Sequence, residues 1–378
     1  MTFTPHDSAK LVYQWPTAAW KQAFRRKLLA WYRQNARDLA WRQTRDPYRV
    51  WVSEIMLQQT QVATVARYFP RFVAAFPTIA ALAAAPERHV LRLWEGLGYY
   101  RRARQLHRAA AVIVREHGGR FPQDAAAVRR LPGIGRYTAG AILSIAFDAR
   151  EAILEANTVR LLSRLLAYRA DPRQTAGQAL LWSLAEELLP RRAIGEFNQA
   201  LMELGALVCK PRDADCGACP VQSLCPTHRQ GLQRLVPMVQ KPPRVEQVRE
   251  AAVVVRRRGK VLLVERQPGE RWAGLWDFPR FSVAAGREPE SVVLIEGVAS
   301  CTSVVCRPRE LLRTLKHSVT RFRITLECHL ADYVRLAPGK RAARPKITWV
   351  SPDELDGYPL SVTGRKLARL IAEQGAKV

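Results

Sequence analysis

Between Ala18 and about Gln230 the apolar residues recur at intervals of three and four, the spacing of helices that turn one face to a core. Ala139, Ile142, Leu143, Ala146 and Phe147 show it, and Pro70, Pro77, Pro86, Pro122 and Pro132 mark expected helix boundaries. The pattern then changes. Residues 231–247 contain Pro237, Lys241, Pro242 and Pro243 and read as a tether. Beyond it the period is two. Residues 253–255 and 261–264 flank a Gly259-Lys260 turn, as in a hairpin. Phe322, Ile324, Leu326, Cys328 and Leu330 alternate with Arg321, Arg323, Thr325, Glu327 and His329. That alternation predicts a strand with one buried and one wet face. Residues 364–373 read as helix again. The expected architecture is mainly α: a helical domain over residues 1–230, a linker over 231–247 and an α+β domain over 248–378.

A length of 378 residues agrees with two domains. With 48% hydrophobic and 25% charged residues, the chain is neither disordered nor membrane-embedded in composition. No stretch approaches the roughly 20 apolar residues of a membrane span. The first twenty residues lack the short apolar core of a secretory signal, so the expected location is the cytoplasm, in association with a bacterial nucleoid. Charge adds more. Sixty Lys and Arg against 33 Asp and Glu leave +27, a field that attracts polyanions, nucleic acid first.

The seven Cys are an odd number, and four of them form Cys209-x6-Cys216-x2-Cys219-x5-Cys225. Four soft thiolates at such spacing suit a metal centre rather than a disulfide framework, and the spacing leaves zinc and an iron–sulfur cluster both open. Cys301, Cys306 and Cys328 are expected to be core or inert thiols. Upstream, Leu131-Pro132-Gly133-Ile134-Gly135 links two helical stretches ahead of Arg136 and Tyr137. Gly133 and Gly135 allow a tight turn that leaves N–H groups free at a helix start, a phosphate grip made by backbone alone. Glu54 lies in a strongly apolar helix beside Trp51, Val52, Ile55, Met56 and Leu57, where burial raises a carboxyl pKa toward neutrality.

These residues carry a resemblance. Asp46-Pro47-Tyr48, the run from Trp51 through Glu54, Gln58 and Gln59 to Thr60, and Gly96-Leu97-Gly98-Tyr99-Tyr100 resemble the MutY branch of the endonuclease III superfamily of DNA glycosylases. So do the glycine hairpin (about 125–147), Phe197-Asn198-Gln199-Ala200 and the four-cysteine loop (209–225). The resemblance implies a two-lobed helix-hairpin-helix glycosylase core. It implies a 4Fe–4S cluster on Cys209, Cys216, Cys219 and Cys225. It implies excision of adenine mispaired with 8-oxoguanine or guanine from double-stranded DNA, by a monomer that flips the base out.

Within that resemblance Glu54 protonates the purine, Tyr137 shields or orients the sugar intermediate, and Gln59 and Tyr99 wedge beside the partner base. Gln58, Gly133, Gly135 and Arg136 join the DNA-binding set. The family has an Asp, then Gly and Asn, where this chain has Glu155-Ala156-Asn157, so Glu155 is expected to stabilise the oxocarbenium-like sugar, with Asn157 retained. Asp148, seven residues earlier, reads as a helix-end residue. Tyr137 occupies the place of the lyase-type Lys, and no Lys lies between Lys27 and Lys210, so the expected chemistry is monofunctional.

In the C-terminal part, the stretch from Trp272 through Gly274, Trp276 and Asp277 to Pro279 resembles a Nudix-like domain. The carboxylate-rich helix of a working pyrophosphatase is missing after Phe281, where only Glu288 and Glu290 precede an apolar run. The family's Phe-Ser-His damage-reading loop is here Val319-Thr320-Arg321, with Thr320 and Arg321 the expected contacts. Two rivals share these features: a superfamily glycosylase with another base specificity, and a catalytically weak damage-binding protein.

Overall fold

The computed structural model describes residues 15–238, 245–267, 269–284, 289–337 and 346–375. By their contacts they form two compact units, one from 1–84 with 105–241, the other from 85–104 with 242–378. Up to residue 238 the regular elements are helices: α1 (Ala18–Asn35), α2 (Pro47–Leu57), α3 (Val62–Ala75), α4 (Ile79–Ala84), α5 (Glu87–Leu93), α6 (Arg101–His117), α7 (Ala125–Arg130), α8 (Arg136–Phe147), α9 (Ala156–Leu166), α10 (Thr175–Leu188), α11 (Ile194–Leu207) and α12 (Pro226–Arg229). None among the described residues is long and apolar enough to cross a membrane.

Local chemistry sets the helix ends. Thr17, Asp46 and Asp124 cap α1, α2 and α7 by accepting backbone N–H bonds, each cap worth about 1 kcal/mol. Asp148 closes α8 in a left-handed conformation, and its carboxylate accepts the N–H groups of Ala193 and Gly195 at the start of α11. It is the helix-end residue its position suggested. Pro70 differs from expectation: it lies inside α3, with buried Phe69 and Phe72 anchoring the helix on both sides of it. Phe24 and Leu28 of α1 pack with Leu161 and Leu165 of α9, Leu184 of α10, and Phe197 and Leu204 of α11. That core holds the N-terminus of α9 against α11. Gly205 is required there, because a Cβ would come 2.8 Å from the Cβ of Asn157.

In the second unit, β1 (Glu246–Arg257), β2 (Lys260–Glu265), β3 (Trp276–Asp277), β4 (Arg280–Ser282), β5 (Val304–Val319), β6 (Phe322–Leu336) and β7 (Ile347–Val350) form one sheet, with α13 (Ser291–Thr302) and α14 (Val362–Gly375). The order is β3-β2-β1-β6-β5. β1 runs parallel to β6, and the other pairings are antiparallel. β1 therefore starts inside the stretch read as a tether, while 239–244 fall outside the described residues. The hairpin between β1 and β2 is the expected one, but its turn is Arg258-Gly259, both at positive φ, one residue earlier than Gly259-Lys260, because Lys260 already pairs with Arg257. β6 corrects the reading of a wet face: Glu327 and His329 are buried along with Leu326 and Cys328. The strand lies between β1 and β5, and both faces of the sheet are covered. Leu367, Ala368 and Ile371 of α14 pack on one side, Leu294 and Val298 of α13 on the other. Residues 85–104 group with this unit, where Arg365 clamps Glu95 through Nε (2.8 Å) and a second nitrogen (3.0 Å).

Candidate active site

Helix α2 buries Glu54 among Trp51, Val52, Ile55 and Met56. Tyr137, on the first turn of the adjoining α8, donates its hydroxyl to Oε2 of Glu54 at 2.7 Å and lies 3.4 Å from Sδ of Met202. Burial pushes the Glu54 carboxyl up to about 7. The Tyr137 hydrogen bond works against that rise, and the negative charge of Glu155 adds to it. Glu54 is thus poised to hold or release a proton near neutral pH.

Glu155 is the N-cap of α9. Its two carboxylate oxygens accept the backbone N–H groups of Asn157 (2.8 Å) and Thr158 (2.9 Å), and Thr158 Oγ1 accepts the N–H of Glu155 in return. Shorter side chains are the usual caps, so the additional methylene of Glu is taken up by folding the carboxylate back over its own helix. Burial raises the Glu155 pKa, against the two backbone donors that favour its ionised form. Asn157 is held in turn by Arg160, which also donates to the carbonyls of Gly205 (2.7 Å) and Cys209 (2.8 Å).

Glu54, Gln58, Gln59, Tyr137, Glu155 and Asn157 line one cavity of ≈ 510 Å³, within the range that encloses a small organic ligand. Gln58 donates to Thr138 Oγ1 at 3.2 Å. Gln59 has a φ of 55°, a costly conformation for a residue with a side chain. Further lining residues had no role in the sequence reading, among them Arg37, Trp41, Arg42, Gln199, Met202 and Glu203. Burial would raise the Glu203 pKa, but Arg37 and Arg42 outweigh it and bring it down to about 2. Its oxygens lie 2.7 Å and 2.8 Å from those guanidinium groups. Gln199 lay within a quoted motif, but nothing local in sequence links Glu203 to arginines some 160 positions earlier.

At the glycine hairpin, Gly133 has a φ of +80° and a Cβ there would meet Gln105 at 2.8 Å. Gly135 is the N-cap of α8 and supplies no side-chain cap, which leaves the first N–H groups of the helix able to bond an anion. Arg136 stacks 3.8 Å above the Trp182 ring and pairs with Glu186. Tyr99, Thr320 and Arg321 belong to the other unit. Tyr99 is exposed with a φ of 46°. Thr320 and Arg321 form the two-residue tip between β5 and β6, where Arg321 pairs with Glu246 at 3.0 Å and lies over the Phe322 ring. In that unit α13 carries only Glu296 as an acid, with Glu290 at its cap, and Glu288 falls outside the described residues.

Cys209, Cys216, Cys219 and Cys225 line a second cavity. Among the described residues no three Cys, His, Asp or Glu side chains converge as the ligands of a metal ion do. Burial pushes the Cys219 thiol up to about 12, and the negative charges of Cys209, Cys225 and Cys216 add to that rise, so the four lie within electrostatic reach of one another. Arg164 donates to Cys209 Sγ at 3.2 Å and Gln233 to Cys216 Sγ at 3.7 Å. Four cysteines around one cavity, two of them with N–H donors to sulfur, form a donor set of the kind that a metal centre holds as thiolates. Cys306 and Cys328 are core residues, as expected.

Residues 52–187 match the HhH-GPD superfamily of base excision DNA repair proteins, and residues 251–370 match the NUDIX domain. The chain is similar to the adenine DNA glycosylase of Rattus norvegicus, 35% identical over 93% of this chain and 78% of the relative. It is likewise similar to that of Homo sapiens, 34% identical over 93% and 74%. Among solved structures, a thermostable thymine-DNA glycosylase superposes with a TM-score of 0.52 at 30% identity, over 56% of this chain and 98% of that one.

Proposed function

The chain belongs to the adenine DNA glycosylase family, and from that membership we propose that it excises adenine from duplex DNA opposite 8-oxoguanine or guanine and leaves the abasic strand uncut. The observation that carries the proposal is the pair Glu54 and Glu155, two carboxyl groups with different surroundings on one cavity. A base inside the stack is out of reach, so the nucleotide has to be flipped into that cavity, at a cost of a few kcal/mol. Glu54, able to stay protonated to about pH 7, delivers a proton to the purine ring and makes adenine a neutral leaving group. Glu155, ionised and fixed by two N–H donors, faces the positive charge that grows on the sugar. Water then adds at C1′, and the proton it loses returns to the Glu54 carboxylate.

Tyr137 fills the place where a Schiff-base Lys would act and offers no amine, which supports hydrolysis without strand cleavage. On the same cavity, the Glu203 carboxylate and the Arg37 and Arg42 guanidinium groups supply acceptors and donors for the polar edge of a base. The first N–H groups of α8 at Gly135 hold a phosphate of the same strand. Gln59 serves the partner base, and Tyr99, Thr320 and Arg321 are DNA contacts of the other unit, taken by itself. Cys209, Cys216, Cys219 and Cys225 would hold a 4Fe–4S cluster. When bound, the cluster fixes the fold of the 209–225 loop and takes no part in breaking the glycosidic bond.

A single-turnover assay on adenine opposite 8-oxoguanine and opposite guanine tests the proposal, with wild type beside Glu155→Gln and Glu155→Asp. Gln keeps a capping oxygen but no charge and should abolish excision. Asp keeps the charge and should retain it. Equal rates for wild type and Glu155→Gln would remove Glu155 from the chemistry. The thymine-DNA glycosylase likeness supports a second reading, excision of a pyrimidine, and chromatography of the released base separates the two.

A further inference from the structure

Strand β5 is the outer strand of the sheet, with β6 on one side and no described strand on the other. Its pairing with β6 is irregular at Val305/Cys306, Pro308/Leu311 and Leu311/Arg313, then regular from Arg313 to Val319. An unpaired edge of that length presents N–H and C=O groups to any extended chain that arrives. Beside it, between β5 and α14, lies a groove of ≈ 300 Å³. Leu315, Leu367 and Leu370 form its floor and Arg313, Lys366 and Arg369 its rim, with Glu373 at one end. The three cations are exposed. Leu315 packs in the same apolar cluster as Leu367, so Arg313, Leu315 and His317, two residues apart, share the α14 face.

We propose that this edge and groove bind an extended acidic peptide segment of a partner protein, which adds a strand to β5 and sets an apolar side chain between two carboxylates. The apolar floor offers nothing to a phosphate, and a duplex cannot pair with a strand edge. A peptide uses both, and its acids complement the rim. This is strand addition, with main-chain bonds giving affinity and alternate side chains giving specificity. Glu373 repels an acid that comes close to its end of the groove.

The probe is the peptide Thr-Asp-Thr-Leu-Thr-Asp-Thr-amide carrying fluorescein on its N-terminal amine, and its Asp, Leu and Asp fall on one strand face. Titrated with the full chain and followed by anisotropy, it should bind saturably in the micromolar range. N-methylation of the Leu amide, which keeps every charge but removes a main-chain donor, should weaken binding at least tenfold. So should the double variant Lys366→Glu/Arg369→Glu, whose melting temperature checks its fold. No binding to wild type, or equal binding of the methylated probe, overturns the proposal. So does a double variant that loses duplex affinity as steeply as peptide affinity, since the groove is then a nucleic-acid surface.

Discussion

The Tyr137 hydroxyl lies 2.7 Å from Oε2 of Glu54, and this bond stabilises the charged form of the acid. Removing it should therefore raise the Glu54 pKa above its present value of about 7. In Tyr137→Phe the alkaline limb of the excision rate profile is expected to move up by roughly one pH unit, the worth of a hydrogen bond of about 1.5 kcal/mol to a charged group. Single-turnover rates from pH 6 to pH 9.5 measure it. A limb that moves down would mean that Glu54 is not the titrating acid.

Glu54 also links pH to stability. Its folded pKa of about 7 stands above the ordinary 4.5, so between those values the folded chain binds more protons than the unfolded one. Stability then falls as pH rises through that window, by roughly 3 kcal/mol at most at 1.36 kcal/mol per unit. Glu54→Gln, inactive by design, should unfold at higher urea than wild type at pH 8 and show little difference at pH 5. Parallel urea curves at the two pH values give the result. An equal gap at both would detach the effect from protonation.

Arg160 ties Asn157, beside the catalytic cavity, to the carbonyl of Cys209. Arg160→Ala leaves both without that donor and frees the N-terminus of α9, so excision should slow about 10- to 100-fold while duplex affinity is kept. Arg160→Lys should not rescue the rate, because a compact ammonium has one nitrogen where the guanidinium reaches its acceptors from two, Nε and a terminal nitrogen. Anisotropy with a nonhydrolysable substrate duplex separates binding from rate, and equal losses in both would point to general damage.

Gly205 meets the same helix end from α11. A Cβ at 2.8 Å from that of Asn157 forces the two helices apart, so Gly205→Ala should cost about 1–3 kcal/mol in stability and lower excision further than stability alone explains. Thermal melting and turnover at 15 °C, where the variant stays folded, check both.

Parts of this molecule were legible without coordinates. Glu54 stood out because a carboxylate in an apolar helix is unusual, and the cysteines because four soft ligands in seventeen positions are rarely accidental. The hairpin glycines were equally plain, since their turn is local. Glu203, Arg37 and Arg42 were not, because their meeting depends on how α11 packs beside the segment before α2. Pro70 misled because buried aromatics on either side overrode its breaking tendency. The wet face expected on β6 failed because alternation is read along one strand, whereas burial depends on what covers the sheet. Glu155 showed its charge in sequence but not its folded-back posture, which only the start of α9 reveals.

Glu54 and Glu203 are the same side chain on the same cavity, and a pair of guanidinium groups beside one of them makes the difference. At neutral pH Glu54 can give up a proton while Glu203 stays firmly anionic between its cations. The chamber therefore has a polarity of its own, like a socket with a live and a neutral terminal. A guest that offers a basic ring nitrogen to Glu54 and a donor N–H to Glu203 meets a reason to enter in one orientation only. Discrimination then begins as the guest turns into place, before any bond is broken.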